Sequence, residues 1–253
     1  ERHTIDGEFH DDPTEHLEPP TPLAPALLGV SIGGSRFEAG LVSADGELID
    51  RATAPIDPDT GPETHFSTIA ELVETQLGLS DHHQVRITAV GVVSGGDVGP
   101  NCETVSPPNV ASWNEFPLRE RLREVTAKRV YGELDAKALA LAEGWKGAAK
   151  GFDNYCVMSV GSTIGGGIVL DGELLEGAAG HAGYVGHLTV EPNGRRCACG
   201  ARGCLDAEAS GLAIESITGR SPDEPTYEIM QRTGRLVGRA AASRRAWYSA
   251  IAA

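Results

Sequence analysis

The segment HAGYVGHLTVEPNGRRCACGARGCLD, from His181 to Asp206, constrains the fold of this chain more than any other stretch. Within 18 residues it carries one imidazole and three thiols, His187, Cys197, Cys199 and Cys204. Gly194, Gly200 and Gly203 let the backbone turn tightly around a common centre. A closed Cys₃His shell is what a structural zinc ion takes, with four N/S ligands in a tetrahedron and no open position for water. Disulfides suit the spacing less well. Cys197 and Cys199 are separated by a single residue, and pairing any two of three thiols leaves one over, whereas one metal uses all three with His187. The expectation is a zinc that braces the fold and takes no part in chemistry. Cys102 and Cys156 lie far away in sequence and read as ordinary semi-buried thiols.

Two glycine-rich turns precede this segment, each following a strand. Leu27 to Val30 is an apolar run, Gly33-Gly34 a turn, and Arg36 to Val42 a second strand closed by Ala44-Asp45-Gly46. Much later, Tyr155 to Val160 leads into GSTIGGG at Gly161 to Gly167, then Ile168 to Leu170 and the turn Asp171-Gly172. Such glycines let backbone amides approach a phosphate closely. Either turn alone is no more than a tight hairpin. Two units of the same kind, about 130 residues apart, point to an internal duplication with one phosphate loop from each half.

Between the turns, Phe66, Ile69, Leu72, Val73 and Leu77 fall at helical spacing after Pro62. Arg86 to Val93 reads as a strand ending in Ser94-Gly95-Gly96, giving a β-β-helix-β order. The loop SPPNVASWNEFPL is stiffened by its prolines and is expected to present the amide of Asn109 and the indole of Trp113 to a ligand. Leu118 to Val125 reads as a helix, Arg129 to Glu133 as a strand and Ala136 to Ala149 as an alanine-rich helix. Asp135 therefore stands at a strand-to-helix junction. There it can cap the helix, or accept a proton from a hydroxyl bound in the crevice of an open α/β sheet. After the cysteine segment, Glu208 to Ile217 and Tyr227 to Ala242 read as helices.

A net charge of -15 with no basic cluster opposes binding to nucleic acid. No run of 18 apolar residues occurs, and the first residues are acidic without an apolar core, so the expectation is a cytoplasmic protein with no membrane contact. Residues 1–26, acidic and proline-rich without apolar periodicity, read as a mobile tail. Hydrophobic content of 40% and 32 glycines suit a loop-rich α/β chain of two lobes.

From Leu27 to Ala241 the chain resembles the ROK family, the bacterial repressors and sugar kinases that include glucokinase. Glu133-Leu134-Asp135-Ala136 is similar to the family's Glu-Asn-Asp-Ala, and Gly161 to Gly167 to its Gly-Thr-Gly-x-Gly-Gly-Gly. Ala182 to His187 is similar to Ala-Gly-Glu-x-Gly-His, and Cys197 to Asp206 to Cys-x-Cys-Gly-x-x-Gly-Cys-Leu-Glu. The resemblance implies a two-lobed actin-like, ribonuclease H-like, α/β ATPase fold of the sugar kinase type. An N-terminal lobe would span 27–134 and a C-terminal lobe 135–253, with the zinc segment at 187–204. The second lobe would be truncated, since the family's last strand, adenine-side glycine pair and returning helix have no counterpart after Ala241. Exposed apolar surface would follow.

The same resemblance implies transfer of the ATP γ-phosphate to the 6-hydroxyl of a hexose or hexose derivative, with Asp135 as general base. Asn109, Asp135, Tyr184, His187 and Asp206 would contact the sugar. Gly33, Gly34, Ser35, Gly161, Ser162, Thr163 and Gly165 would line the phosphates of Mg-ATP. His187 would serve zinc with one ring nitrogen and sugar with the other, and the protein would be a homodimer. Four positions depart from the pattern. Ser31 replaces an Asp that helps hold Mg²⁺, Leu134 an Asn, Tyr184 a Glu, and Asp206 a longer Glu. Each lost hydrogen bond costs about 1 kcal/mol, so a catalytically impaired sugar-binding or sensor protein is the rival expectation. A DNA-binding repressor is disfavoured because no basic helix-turn-helix pattern precedes Leu27 and the charge is negative.

Overall fold

A computed structural model describes residues 23–178 and 180–251. Three antiparallel strands open it, β1 (Ala24–Ile32), β2 (Arg36–Ser43) and β3 (Leu48–Pro55). Helix α1 (Pro62–Leu79) carries the chain back so that β4 (Val85–Ser94) lies parallel to β1. After the short strands β5 (Asp97–Val98) and β6 (Val105–Ser106), helix α2 (Leu118–Thr126) returns it again, and β7 (Val130–Leu134) pairs parallel with β4. The sheet order is β3-β2-β1-β4-β7. Helix α3 (Asp135–Lys146) leads to a second sheet of β8 (Tyr155–Val160), β9 (Ile164–Leu170) and β10 (Glu173–Leu174), in the order β10-β9-β8. That meander repeats the pattern of β1 to β3, as the two glycine turns predict. Helices α4 (Leu205–Ala209), α5 (Gly211–Thr218) and α6 (Tyr227–Ile251) complete the described chain.

Periodicity explains most of these elements. In β1, Ala26, Leu28, Val30 and Ile32 are buried at every second position. They meet Phe66, Ile69 and Val73 from one face of α1, which begins at Pro62, where a missing N–H is harmless and φ is already helical. Buried side chains form two clusters, one spanning residues 26–130 and a smaller one built from Ile164, Val185, Val190, Leu205, Ala209, Leu236 and Ala240.

Several expectations need correction. Strand β3 is absent from the predicted β-β-helix-β order because no residue of this edge strand is fully buried, so it carries no alternating apolar signal. The boundary of the tail at residue 26 is too late, since β1 begins at Ala24; residues 1–22 lie outside the described residues. The helix expected over Glu208 to Ile217 is two helices, broken at Ser210, whose Oγ accepts the Ala213 N–H at 3.1 Å and caps α5. Helix α3 stops at Lys146, short of Ala149, and α6 continues past Ala242 to Ile251. Trp113 presents nothing to a ligand. It is buried, donates Nε1–H to the Pro62 carbonyl at 3.1 Å and stacks on Phe116 with ring centroids 4.2 Å apart.

The GSTIGGG stretch is a turn only over Gly161 to Thr163; Gly165, Gly166 and Gly167 lie inside β9. Their bare backbone lets α3 sit directly on the strand. A Cβ at Gly165 would fall 2.7 Å from the Ala136 Cβ, and one at Gly167 2.5 Å from the Ala140 Cβ. Gly167→Ala is therefore expected to push α3 away and cost about 1–3 kcal/mol, read as a lower Tm. An unchanged Tm would show that the helix moves freely on β9.

On the sheet face below α3, Gly29 stands beside Gly40 on one neighbour and Gly91 on the other. This row of glycines floors a cavity of about 700 Å³, with Ser31, Glu38, Leu48, Tyr131 and Leu141 among its lining residues. Leu48, Tyr131 and Leu141 are exposed there. No described helix is long and apolar enough to cross a membrane.

Candidate functional site

Strand register places the site. Ile32 of β1 pairs with Ser94 of β4, and Ser94 with Leu134 of β7. The next residue of each strand, Gly33, Gly95 and Asp135, therefore emerges at one edge of the sheet, with Gly33 and Asp135 two strand spacings or about 10 Å apart. Gly95 leaves room for the aspartate, because a Cβ there would lie 3.2 Å from the Asp135 Oδ2.

Asn109 reaches the same edge. Its Nδ2 donates to the Gly33 carbonyl at 2.6 Å. The loop that carries it is pinned from below by Trp113 and by buried His65, whose Nδ1 lies 2.9 Å from the Ser112 Oγ. The second hairpin turn faces the first. A Cβ on Gly34 would sit 3.2 Å from the Ser162 Oγ, so the two glycine turns bound a narrow cradle that side chains would fill. Gly161, Ser162 and Thr163 are exposed in it, as are Gly34 and Ser35. Gly165 is set apart, against α3.

Asp135 is the first residue of α3, one position inside the cap residue Leu134. Its Oδ1 accepts the Ala136 N–H at 2.6 Å, and a negative charge in a helix's first turn meets the positive end of the dipole. Solvent reaches the carboxylate through the cleft, yet protein surrounds most of it, and this burial pushes its pKa up against the opposing Ala136 bond. Tyr184 stands close by. Burial first, then the charges of Asp97, Glu133 and Asp135, raise the pKa of its phenol. Its ring lies 6.2 Å from that of His187.

Behind Asp135 is a charge cluster that sequence reading missed. Lys137, 1% exposed, donates to Glu176 at 2.6 Å, and Glu133 is drawn toward its protonated form by burial, with Lys137 opposing. The available signal was a lone lysine on the face of α3 that buries Ala136 and Ala140. A buried ammonium needs a counter-charge, and Glu176 supplies it from the loop that leads to Tyr184.

The four expected metal ligands come together: one donor atom each from His187, Cys197, Cys199 and Cys204 lies within 4.8 Å of the others. His187 Nδ1 is 3.5 Å from the Cys197 Sγ, and the Cys199 and Cys204 sulfurs are 3.6 Å apart. All five cysteines are free of disulfides. The donor set and spacing fit one tetrahedral zinc with bonds of about 2.0–2.3 Å. With Nδ1 turned to the thiols, the Nε2 of His187 points away from them. A hairpin holds Cys197 and Cys199, closed by Cys197 N–H to Ala201 O at 2.9 Å and Gly203 N–H to Arg195 O at 2.8 Å, while His187 precedes it and Cys204 follows it at the start of α4. Gly200 adopts φ +90°, a left-handed conformation that suits glycine. Asp206, just beyond Cys204, accepts the Ile164 N–H at 2.7 Å and so ties the cysteine segment to the start of β9.

Residues 27–252 match the profile of the ROK family. The chain is 40% identical over 189 residues to a glucokinase of Thermotoga maritima, covering 74% of this chain and 58% of that protein. It is 32% identical over 210 residues to an N-acetylmannosamine kinase of Escherichia fergusonii, covering 82% of this chain and 69% of that one. A ROK family glucokinase from Streptomyces griseus, solved in complex with glucose and AMPPNP, superposes with a TM-score of 0.65 at 30% identity over 77% of this chain and 62% of that chain. The chain thus spans 58% of the length of the Thermotoga glucokinase.

Proposed function

The chain belongs to the ROK family, and from that premise we propose that it transfers the γ-phosphate of ATP to the 6-hydroxyl of a hexose or hexose derivative. The fold is the actin-like α/β fold of ROK sugar kinases. The observation that carries the proposal is the strand register that brings Gly33, Gly95 and Asp135 to one edge, opposite the second glycine turn. The two buried clusters correspond to two lobes on this reading, with the boundary between Leu134 and Asp135.

Asp135 is the general base. Burial raises its pKa, which makes its ionised form a better proton acceptor than an ordinary surface carboxylate. Asn109, held on the Gly33 carbonyl, and Tyr184, Asp206 and the outward Nε2 of His187 orient the sugar hydroxyls. Backbone amides of Gly34, Ser35, Ser162 and Thr163 cradle the phosphates, Gly33 and Gly161 shape the two turns by donating their N–H groups to the Arg36 and Thr163 carbonyls at 3.0 Å, and Gly165 behind them spaces β9 from α3. When bound, Mg-ATP would supply the phosphoryl group, and its Mg²⁺ would offset negative charge that develops during transfer. Zinc, held by His187, Cys197, Cys199 and Cys204, fixes the turn that carries His187 and the start of α4, which carries Asp206. A homodimer in the cytoplasm completes the reading.

One observation favours the rival sensor. Leu134 is 7% exposed and offers no polar group beside Asp135. A coupled assay with Mg-ATP on a panel of glucose, mannose and their N-acetylated amines separates the two. Phosphorylation of any member is the expected result, whereas hexose binding by calorimetry without turnover would leave the sensor.

A further inference from the structure

Glu208 lies two residues past Asp206 on α4 and is 1% exposed. Its Oε1 accepts the backbone N–H of Arg195, inside the metal hairpin, at 2.5 Å. Its Oε2 accepts from Nη2 of Arg232, and its main-chain carbonyl accepts from Nη1 of the same guanidinium. Arg232 belongs to α6, 28 residues beyond Cys204. One buried side chain thus joins three segments: the helix that follows Cys204, the hairpin that carries Cys197 and Cys199, and α6. Gly194 completes the junction, since the space between it and Glu208 admits no Cβ.

A second contact lies seven residues along α6. Arg239 Nη1 donates to the Val190 carbonyl at 3.2 Å and reaches Glu191 at 3.4 Å. Leu236 between the two arginines and Ala240 just past the second are buried in the smaller core, so one face of α6 presents arginine, leucine and arginine to the cysteine segment. A buried carboxylate is costly unless its charge is met and its lone pairs are used. Here one oxygen takes a guanidinium and the other a loop amide. The hairpin itself is poor in apolar residues and rich in arginine.

We propose that the Glu208–Arg232 pair is a clamp through which α6 holds the metal hairpin closed, making Glu208 and Arg232 positioning residues for Cys197, Cys199 and Asp206. The clamp rests on the reading of this cluster as a zinc site. Retention of the metal then depends on a helix that contributes no ligand.

The test uses the full 253-residue chain loaded with zinc, with release followed by a chromogenic chelator. Arg232→Met is expected to release zinc about tenfold faster or more, Arg232→Lys to recover part of the loss, and Arg235→Met, on the exposed side of α6, to release like the parent. In the cobalt-substituted protein, Arg232→Met should also alter the thiolate-to-cobalt absorption. Equal release from the parent and a folded Arg232→Met would overturn the clamp. Should Arg232→Met not fold, Arg232→Lys against the parent decides in the same way. A parent chain that binds no zinc would sink the zinc reading alone. The clamp is then judged by hydrogen exchange of the Arg195 to Cys199 amides, where faster exchange in the variant sustains it and equal exchange overturns it.

Discussion

Asp135→Asn is expected to lower kcat for hexose phosphorylation by about 10²–10⁴-fold, the range that a positioned general base contributes. KM for the sugar should change little, because the amide keeps an oxygen for the Ala136 N–H and a polar atom toward the cleft. The same residue sets the pH dependence. Burial raises its pKa above the ordinary carboxylate value, so kcat/KM of the parent should fall on the acid side at a pH higher than an exposed aspartate would give. Stability runs the other way. A carboxyl whose folded pKa is raised binds its proton more tightly when folded, so its contribution is complete below the unfolded pKa and is lost as pH rises through the folded value. Above the folded value the ionised side chain is therefore a burden on the fold, and there Asp135→Asn should melt no lower than the parent. Kinetics across pH with melting curves for both proteins check this. A variant that keeps activity removes Asp135 from the mechanism. One that loses activity along with 10 °C of Tm, on the order of several kcal/mol at this size, would show a structural role instead.

How far the sequence reaches can be argued from Asp135 itself. Its place between strand and helix was legible because Val130 to Leu134 and the alanines of α3 carry clear, different periodicities. Its distance from Gly33 was not, since that depends on β4 entering between β1 and β7, which no local pattern records. The clustering of His187 with the three cysteines was legible for the opposite reason: cysteines so close in sequence have few ways to be apart. Long-range partners escaped. Glu176 lies 39 residues from Lys137, and Arg232 lies 24 from Glu208. Each charge alone looks like a solvated surface residue, and only the burial of one partner, Lys137 or Glu208, makes the pair visible. Trp113 was misread because an aromatic in a proline-rich loop looks available, whereas Phe116 and the Pro62 carbonyl satisfy both its ring and its N–H.

Stripping the metal should have the largest effect on stability. The segment from Val190 to Leu205 buries only Val190, Cys197, Cys204 and Leu205 among its apolar side chains, and two of those four are ligands. Arg195, Arg196 and Arg202 crowd the same hairpin, and without a cation the cluster would hold thiols where a core should be. Apparent binding energies for structural zinc in small domains are about 10–16 kcal/mol, comparable with the whole stability of a typical domain at about 5–15 kcal/mol. Metal removal is thus expected to unfold the smaller cluster while leaving the larger one, which contains no ligand, folded. Calorimetry of the loaded chain against the chelated one should show one transition kept and the other lost or lowered by about 10 °C or more. Cys204→Ser should reproduce the chelated curve with less than one zinc bound, because its sulfur is fully buried and a serine hydroxyl is a weaker ligand. Cys102→Ala, altering a buried thiol outside the cluster, should keep one zinc per chain. Loss of zinc with both transitions unmoved would mean that the hairpin folds on its own hydrogen bonds. The bracing role would then fall to the Glu208 junction and Asp206.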